Sequence, residues 1–117
     1  MIIITPDTNG NIALGQQGEN EARTVQFDIS NWISEFGNGE VKVLLQRFID
    51  ANPYAVHISQ SDNIISWIVT NTDTAIAGYS KVQLTYTNNM TIIKSAIYTG
   101  VVLKSLGQEV QPPDDNI

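Results

Sequence analysis

The chain is 117 residues long, a length that favours one domain with its own core. It has no cysteine and one histidine, His57, which excludes a disulfide framework, a thiolate centre and a multi-histidine metal site. Twelve acidic against six basic residues give a net charge of −6, which argues against binding nucleic-acid phosphates or anionic lipid.

The first apolar run, Met1 to Ile4, has no basic start and is too short for a signal peptide or a membrane span. Ile2 to Thr5 predicts a short strand ended by Pro6. Thr8-Asn9-Gly10-Asn11 predicts a turn, and Ile12 to Leu14 opens a second short strand. Gly15 to Asn20 reads as a polar loop. Arg23 to Ile29 alternates, with Val25, Phe27 and Ile29 on one face and Thr24, Gln26 and Asp28 on the other. Ser30 to Phe36 breaks that period. Trp32, Ile33 and Phe36 share a helix face, and Ser30 or Asn31 supplies a cap, so one short helix or aromatic-rich connection is expected.

Glu40 to Phe48 is apolar on both faces, which predicts a central strand covered on both sides. Tyr54 to Ser59 and Ile64 to Thr70 follow as strands. Asn71 to Gly78 reads as a connection with a helical turn around Thr72 to Ala75. Tyr79 to Thr87 alternates, Asn88-Asn89 suits a tight hairpin, and Thr91 to Leu103 reads as a long last strand with a bend or bulge at Gly100. Only 15% of residues are charged, against roughly 25% in an average globular domain. Turn signals recur every ~8–15 residues. The expectation is an all-β fold: an antiparallel β-sandwich of about eight strands with one short helical connection. Strand patterning leaves sandwich against closed barrel open. Residues 1–106 form the domain. Residues 107–117, acidic and proline-containing, read as a linker or disordered tail, either an ordinary frayed terminus or a join to something longer.

Reaction chemistry is sparse. Glu19 and Glu21 flank Asn20 in the polar loop, and Asp114 and Asp115 lie in the tail, so solvated carboxylates are expected rather than a general acid/base pair. His57 lies in an alternating stretch with small neighbours and no nucleophile elbow nearby; an exposed strand histidine is expected. Gly15-Gln16-Gln17-Gly18 has no helix after it to bind phosphate. Asp7-Thr8-Asn9-Gly10-Asn11 resembles a Ca²⁺ loop only superficially, because no glutamate closes it. Trp32, Trp67, Tyr54, Tyr79, Tyr86 and Tyr98 could stack on a sugar if their rings were exposed together; core positions are expected. Trp67 should be buried, and Trp32 with Phe36 should plug one end. Tyr79 suits a corner hydroxyl bonded to the backbone. Asn89-Met90-Thr91 fits a glycosylation pattern by chance. Arg23 and Arg47 should pair with Glu19, Asp28 or Asp50. No catalytic, cofactor-binding or metal residues are assigned, and no cofactor is expected.

An ordered series of residues resembles a known family. It comprises Pro6-Asp7, Gly10, Leu14-Gly15, Gly18-Glu19-Asn20, Ala22-Arg23 and Val25 to Asp28. It continues through Leu45-Gln46-Arg47, Pro53-Tyr54, Ser66-Trp67, Asp73-Thr74-Ala75, Ala77-Gly78, Leu84, Tyr86 and Lys94-Ser95 to Ser105-Leu106. Over residues ~1–106 this is similar to the N-terminal domain of the phage and prophage baseplate upper protein family of tail-fibre-like proteins. Tyr98 stands where that family suggests tryptophan, and Ser80 where it suggests glycine. The resemblance implies a non-enzymatic β-sandwich that docks a longer receptor-binding protein onto a virion tail or baseplate. It implies other tail proteins as partners, assembly as a homo-oligomer in the full-length assembly with this domain on its own left open as a monomer, and synthesis in the bacterial cytoplasm. A carbohydrate- or cell-surface-binding sandwich is the alternative. It predicts exposed ring faces in a groove, whereas a docking module predicts an apolar patch or an unpaired edge.

Overall fold

Alternation decides the faces, and the computed structural model describes the result for residues 1–107 and 110–113. Asp114 and Asp115, with the rest of the expected tail, lie outside the described residues. The strands are β1 (Ile2–Ile4), β2 (Asn11–Gln16), β3 (Arg23–Asp28), β4 (Glu40–Gln46), β5 (Tyr54–Ala55), β6 (Ile58–Ser61), β7 (Ile64–Ile68), β8 (Gly78–Asn88), β9 (Thr91–Lys94) and β10 (Tyr98–Leu103); the helix α1 spans Ser30–Phe36. They form a first sheet in the order β1-β3-β7-β6 and a second in the order β2-β10-β8-β4-β5, with β9 also on β8. Val25, Phe27, Ile65 and Trp67 of the first sheet meet Val43, Leu45, Val82, Leu84 and Tyr86 of the second in one buried cluster. Each such side chain contributes roughly 1.5–3 kcal/mol when fully buried. The fold is all-β and sandwich-like, as the patterning predicts.

The helix covers the predicted residues. Its start is fixed from outside: the Asp28 carboxylate accepts a hydrogen bond from Ser30 N at 2.8 Å. Its end is held by β8, where the Tyr86 hydroxyl donates to Gly37 O and the Asn88 amide to Phe36 O. Trp32, Ile33 and Phe36 pack against the core from this one-sided position.

Several details differ from the patterning. The sheets are mixed, because β1 runs parallel to β3 and β2 parallel to β10. Inside-outside alternation is the same for parallel and antiparallel neighbours, so it carries no sign of direction. The expected strand Tyr54 to Ser59 is two strands: β5 pairs β4 in the second sheet and β6 pairs β7 in the first, so the chain changes sheet at Val56-His57. The expected strand Thr91 to Leu103 is also two. Three residues, Ser95 to Ile97, stand opposite Gln83 and Leu84 of β8, since Lys94 pairs Thr85 and Tyr98 pairs Val82. That extra residue is a β-bulge, closed by Leu84 N donating to Ser95 Oγ at 2.9 Å. The bulge therefore lies before Gly100, not at it. These two divisions raise the strand number to ten among the described residues. β4 is buried on one face only: Val41, Val43 and Leu45 point inward, while Leu44 is half-buried and Phe48 is exposed. Among the described residues no long element covers the outer side of the second sheet.

Candidate functional site

The most elaborate polar cluster holds the loop between β7 and β8. Asp73 is 4% exposed. Its carboxylate accepts from the Tyr54 hydroxyl at 2.7 Å, from Trp67 Nε1 at 3.0 Å and from Thr70 N at 3.0 Å. Burial, then the Asp73 carboxylate, pushes the Tyr54 phenol up from its ordinary value. Arg47 lies 5.5 Å over the Tyr54 ring and donates to Thr72 O at 3.1 Å. Thr74 is fully buried and donates to Glu19 O at 2.7 Å. The predicted helical turn is present as Thr74 N to Thr70 O. These hydrogen bonds all run between groups of the chain itself, so the cluster fastens a loop. Sequence reading missed Asp73 as an anchor, although a buried indole N–H needs an acceptor and Trp67 has an acid six residues on.

The basic residues divide by role. Arg23 pairs with Glu19 at 2.5 Å and Arg47 with Asp50 at 2.8 Å, as expected. The backbone N–H of Gln16, then Arg23, holds the Glu19 carboxyl below its ordinary value. The Arg47 guanidinium does the same for Asp50. Asp28, the other offered partner, is instead held low by the backbone N–H of Ser30. Glu21 is exposed and apart from Glu19's contacts. His57 is exposed, as expected, but at the change of sheet rather than inside a strand. Asp7 ties its own turn by accepting from Asn9 N and Asn11 N. Among the described residues no three His, Asp or Glu side chains converge, and no helix is long and apolar enough to cross a membrane.

At one end of the sandwich, Asp7, Asp28, Asn31, Trp32 and Tyr98 line an open cleft of about 380 Å³. Its rings are engaged with the core. Trp32 leans on Tyr86 with centroids 5.5 Å apart, and Tyr98 on Phe27 at 5.6 Å. Trp67 is fully buried, as expected. Tyr79 departs from expectation: it is 68% exposed, and the hydroxyl bonding back to the backbone belongs to Tyr86. Tyr79 falls on the outward phase of β8, because Ser80, Val82 and Leu84 take the inward one.

The outer faces of the two sheets differ in kind. On the second, Tyr79 lies opposite Val101, with Leu103 two residues further along β10. Phe48 lies against Gly78 beside them. Tyr79, Leu103 and Phe48 are all more than half exposed. Shallow hollows run between these residues, Gln46 and Lys81, and another is bounded by Leu44, Pro53, Gln83 and Ile97. Lys81 rises from the middle of the face, and the row Lys42-Thr85-Lys94 crosses its other end. The first sheet's outer face is uncharged or acidic, with Gln26, Asp28, Ser61, Asp62 and Ser66 around one depression. The edges are open as well: β1 pairs on one side only, and Ile2 and Ile3 are 50% and 54% exposed.

No protein-family model matches the chain, and no curated protein matches it significantly.

Proposed function

We propose that this chain is a non-enzymatic docking module of a phage or prophage tail, one that joins a longer receptor-binding assembly to the baseplate. The observation that carries this is the uncovered outer face of the second sheet. There Phe48, Tyr79, Val101 and Leu103 form an apolar strip on a rigid surface. Contiguous exposed apolar residues rimmed by polar ones are the usual mark of a protein–protein contact site. The resemblance of residues 1–106 to baseplate upper protein N-terminal domains supports the tail setting. Glu19, Asp28 and Asp50 each hold N–H or guanidinium groups of the fold itself.

The test is composition of purified tail particles from the bacterium that carries the gene, by quantitative mass spectrometry. The chain should appear in fixed ratio to other tail proteins. The folded double variant Tyr79→Ser with Val101→Ser should be depleted at least tenfold. Absence of the wild-type chain from particles would overturn the proposal. A second reading, a carbohydrate- or cell-surface-binding module, draws on the cleft beside Trp32 and Tyr98. It predicts a change in Trp32 fluorescence on adding host-wall polysaccharide, which a docking module does not.

A further inference from the structure

The six cations are not spread evenly. Arg23 and Arg47 are paired to Glu19 and Asp50, and three of the four lysines, Lys42, Lys81 and Lys94, point outward from the second sheet. Their direction follows from register: Lys42 and Lys94 both pair with Thr85, and Lys81 pairs with Gln46 and Thr99. The one acid in the same set of outward positions is Glu40, at the far end of β4. A chain of net charge −6 thus carries one basic face. The first sheet's outer face is its counterpart. Asp28 pairs with Ile64, Ile64 with Ser61, and Asp62 follows in the turn, while no lysine or arginine points outward from that sheet.

Apolar groups match in the same sense. The row Ile3-Thr24-Ile68 crosses the first face about 13 Å from the Asp28 row, four residues away along the strands. Thr24 itself is buried and its hydroxyl faces Met1 Sδ, so Met1, Ile3 and Ile68 are the apolar groups presented there. On the second face, Lys81 lies roughly 7 Å and the Lys42–Lys94 row roughly 20 Å from the Tyr79–Val101 row. With apolar row on apolar row, the acidic end of one face falls between Lys81 and Lys42 and Lys94 of the other. Flexible lysine stems close that difference.

We propose that the second sheet's outer face of one copy seats the first sheet's outer face of another copy, head to tail. Two different faces meet, so the contact is heterologous and repeats to give a ring or a stack of this chain. Net repulsion between copies keeps the free association weak, and tethering in a larger assembly raises its effective concentration. This rests on the docking reading, whose face it uses, and names a second copy of the chain as the occupant of that face. Self-association is measured on the purified chain alone, so either proposal can fail without the other.

The experiment is sedimentation equilibrium of the full chain up to about 1 mM, the upper range for weak contacts. Two charge variants are compared, with circular dichroism to verify folding. One is Lys81→Glu with Lys94→Glu. The other is Ser59→Lys, Ser61→Lys with Asp62→Asn, all at exposed positions. Wild type should show mass rising with concentration. Each variant alone should associate at least about tenfold more weakly, because like charges are then opposed. An equimolar mixture should regain association, since each variant keeps the face the other lacks. A wild type that stays monomeric overturns the proposal, as does a mixture no heavier than its parts. Loss in the lysine variant alone also overturns it and indicates two second sheets meeting symmetrically.

Discussion

Replacing Asp73 by alanine should be among the costliest single changes in the domain. The substitution leaves three donors, the Tyr54 hydroxyl, Trp67 Nε1 and Thr70 N, without their acceptor, and Trp67 is fully buried. A hydrogen bond to a charged group contributes roughly 1.5–3 kcal/mol, and a stranded buried donor costs its full desolvation. The losses overlap, because the three donors share two oxygens, so the expected total is about 3–5 kcal/mol. For a domain of this size that lowers Tm by roughly 12–20 °C. Tyr54→Phe removes one donor and leaves the carboxylate two, so it should cost about 1 kcal/mol. Asp73→Asn keeps the shape but turns an amide N–H toward a donor, and should fall between the two. Thermal unfolding by circular dichroism gives the order, and hydrogen exchange at Thr70 N and the Trp67 indole shows whether the loop is released locally. If Asp73→Ala melted within about 3 °C of wild type, on a scale of several degrees per kcal/mol, the anchoring role would be refuted.

Other outcomes follow from the same geometry. Ser80 Oγ is buried with no hydrogen-bond partner among the described residues, so Ser80→Ala should raise stability by about 1 kcal/mol in denaturant titration. Gly100→Ala should cost about 1–3 kcal/mol, because the new methyl meets Ser80 Oγ and, at 2.8 Å, Leu14 Cδ1; adding Ser80→Gly should recover part of the loss. Gly15→Ala should cost at least about 2 kcal/mol, because φ is +118° and the Arg23–Glu19 pair fills the space of a side chain. Glu19, Asp28 and Asp50 have folded pKa values below their unfolded ones, so their contribution is complete above about pH 5 and is lost as pH falls through the lowered values. Stability against pH should be flat near neutrality and fall on the acid side, and Arg47→Gln should make that acid-side fall shallower.

Much of the architecture was legible because burial writes period two into the chain. Val25, Phe27, Val43, Leu45, Ile65, Trp67, Val82, Leu84 and Tyr86 lie on the faces that alternation assigns. The helix was legible because Trp32, Ile33 and Phe36 break that period. What escaped was long-range. Val56-His57 crosses from one sheet to the other without any local signal, since both of its flanking strands alternate in phase. The Ser95–Ile97 bulge hides in a run of strand formers and shows only in register with β8. Parallel pairing of β1 and β2 is set by which edges remain free. The candidate face was half legible. The alternation of Tyr79 to Thr87 sets Lys81, Gln83 and Thr85 on one face, but their alignment with Lys42 and Lys94 needs the pairing of three strands. Leu44 and Phe48 misled, because apolar side chains on the outer phase of β4 read as a second covered face.

Lysine-reactive cross-linking of purified tail particles, read by mass spectrometry, probes the docking face most directly, because Lys42, Lys81 and Lys94 all lie on it. A docking module predicts cross-links from these lysines to another tail protein or to a second copy, with protection from surface labelling in the particle. Particles that lack the chain, or that hold it with all three lysines as freely labelled as in the isolated protein, would contradict the proposed role.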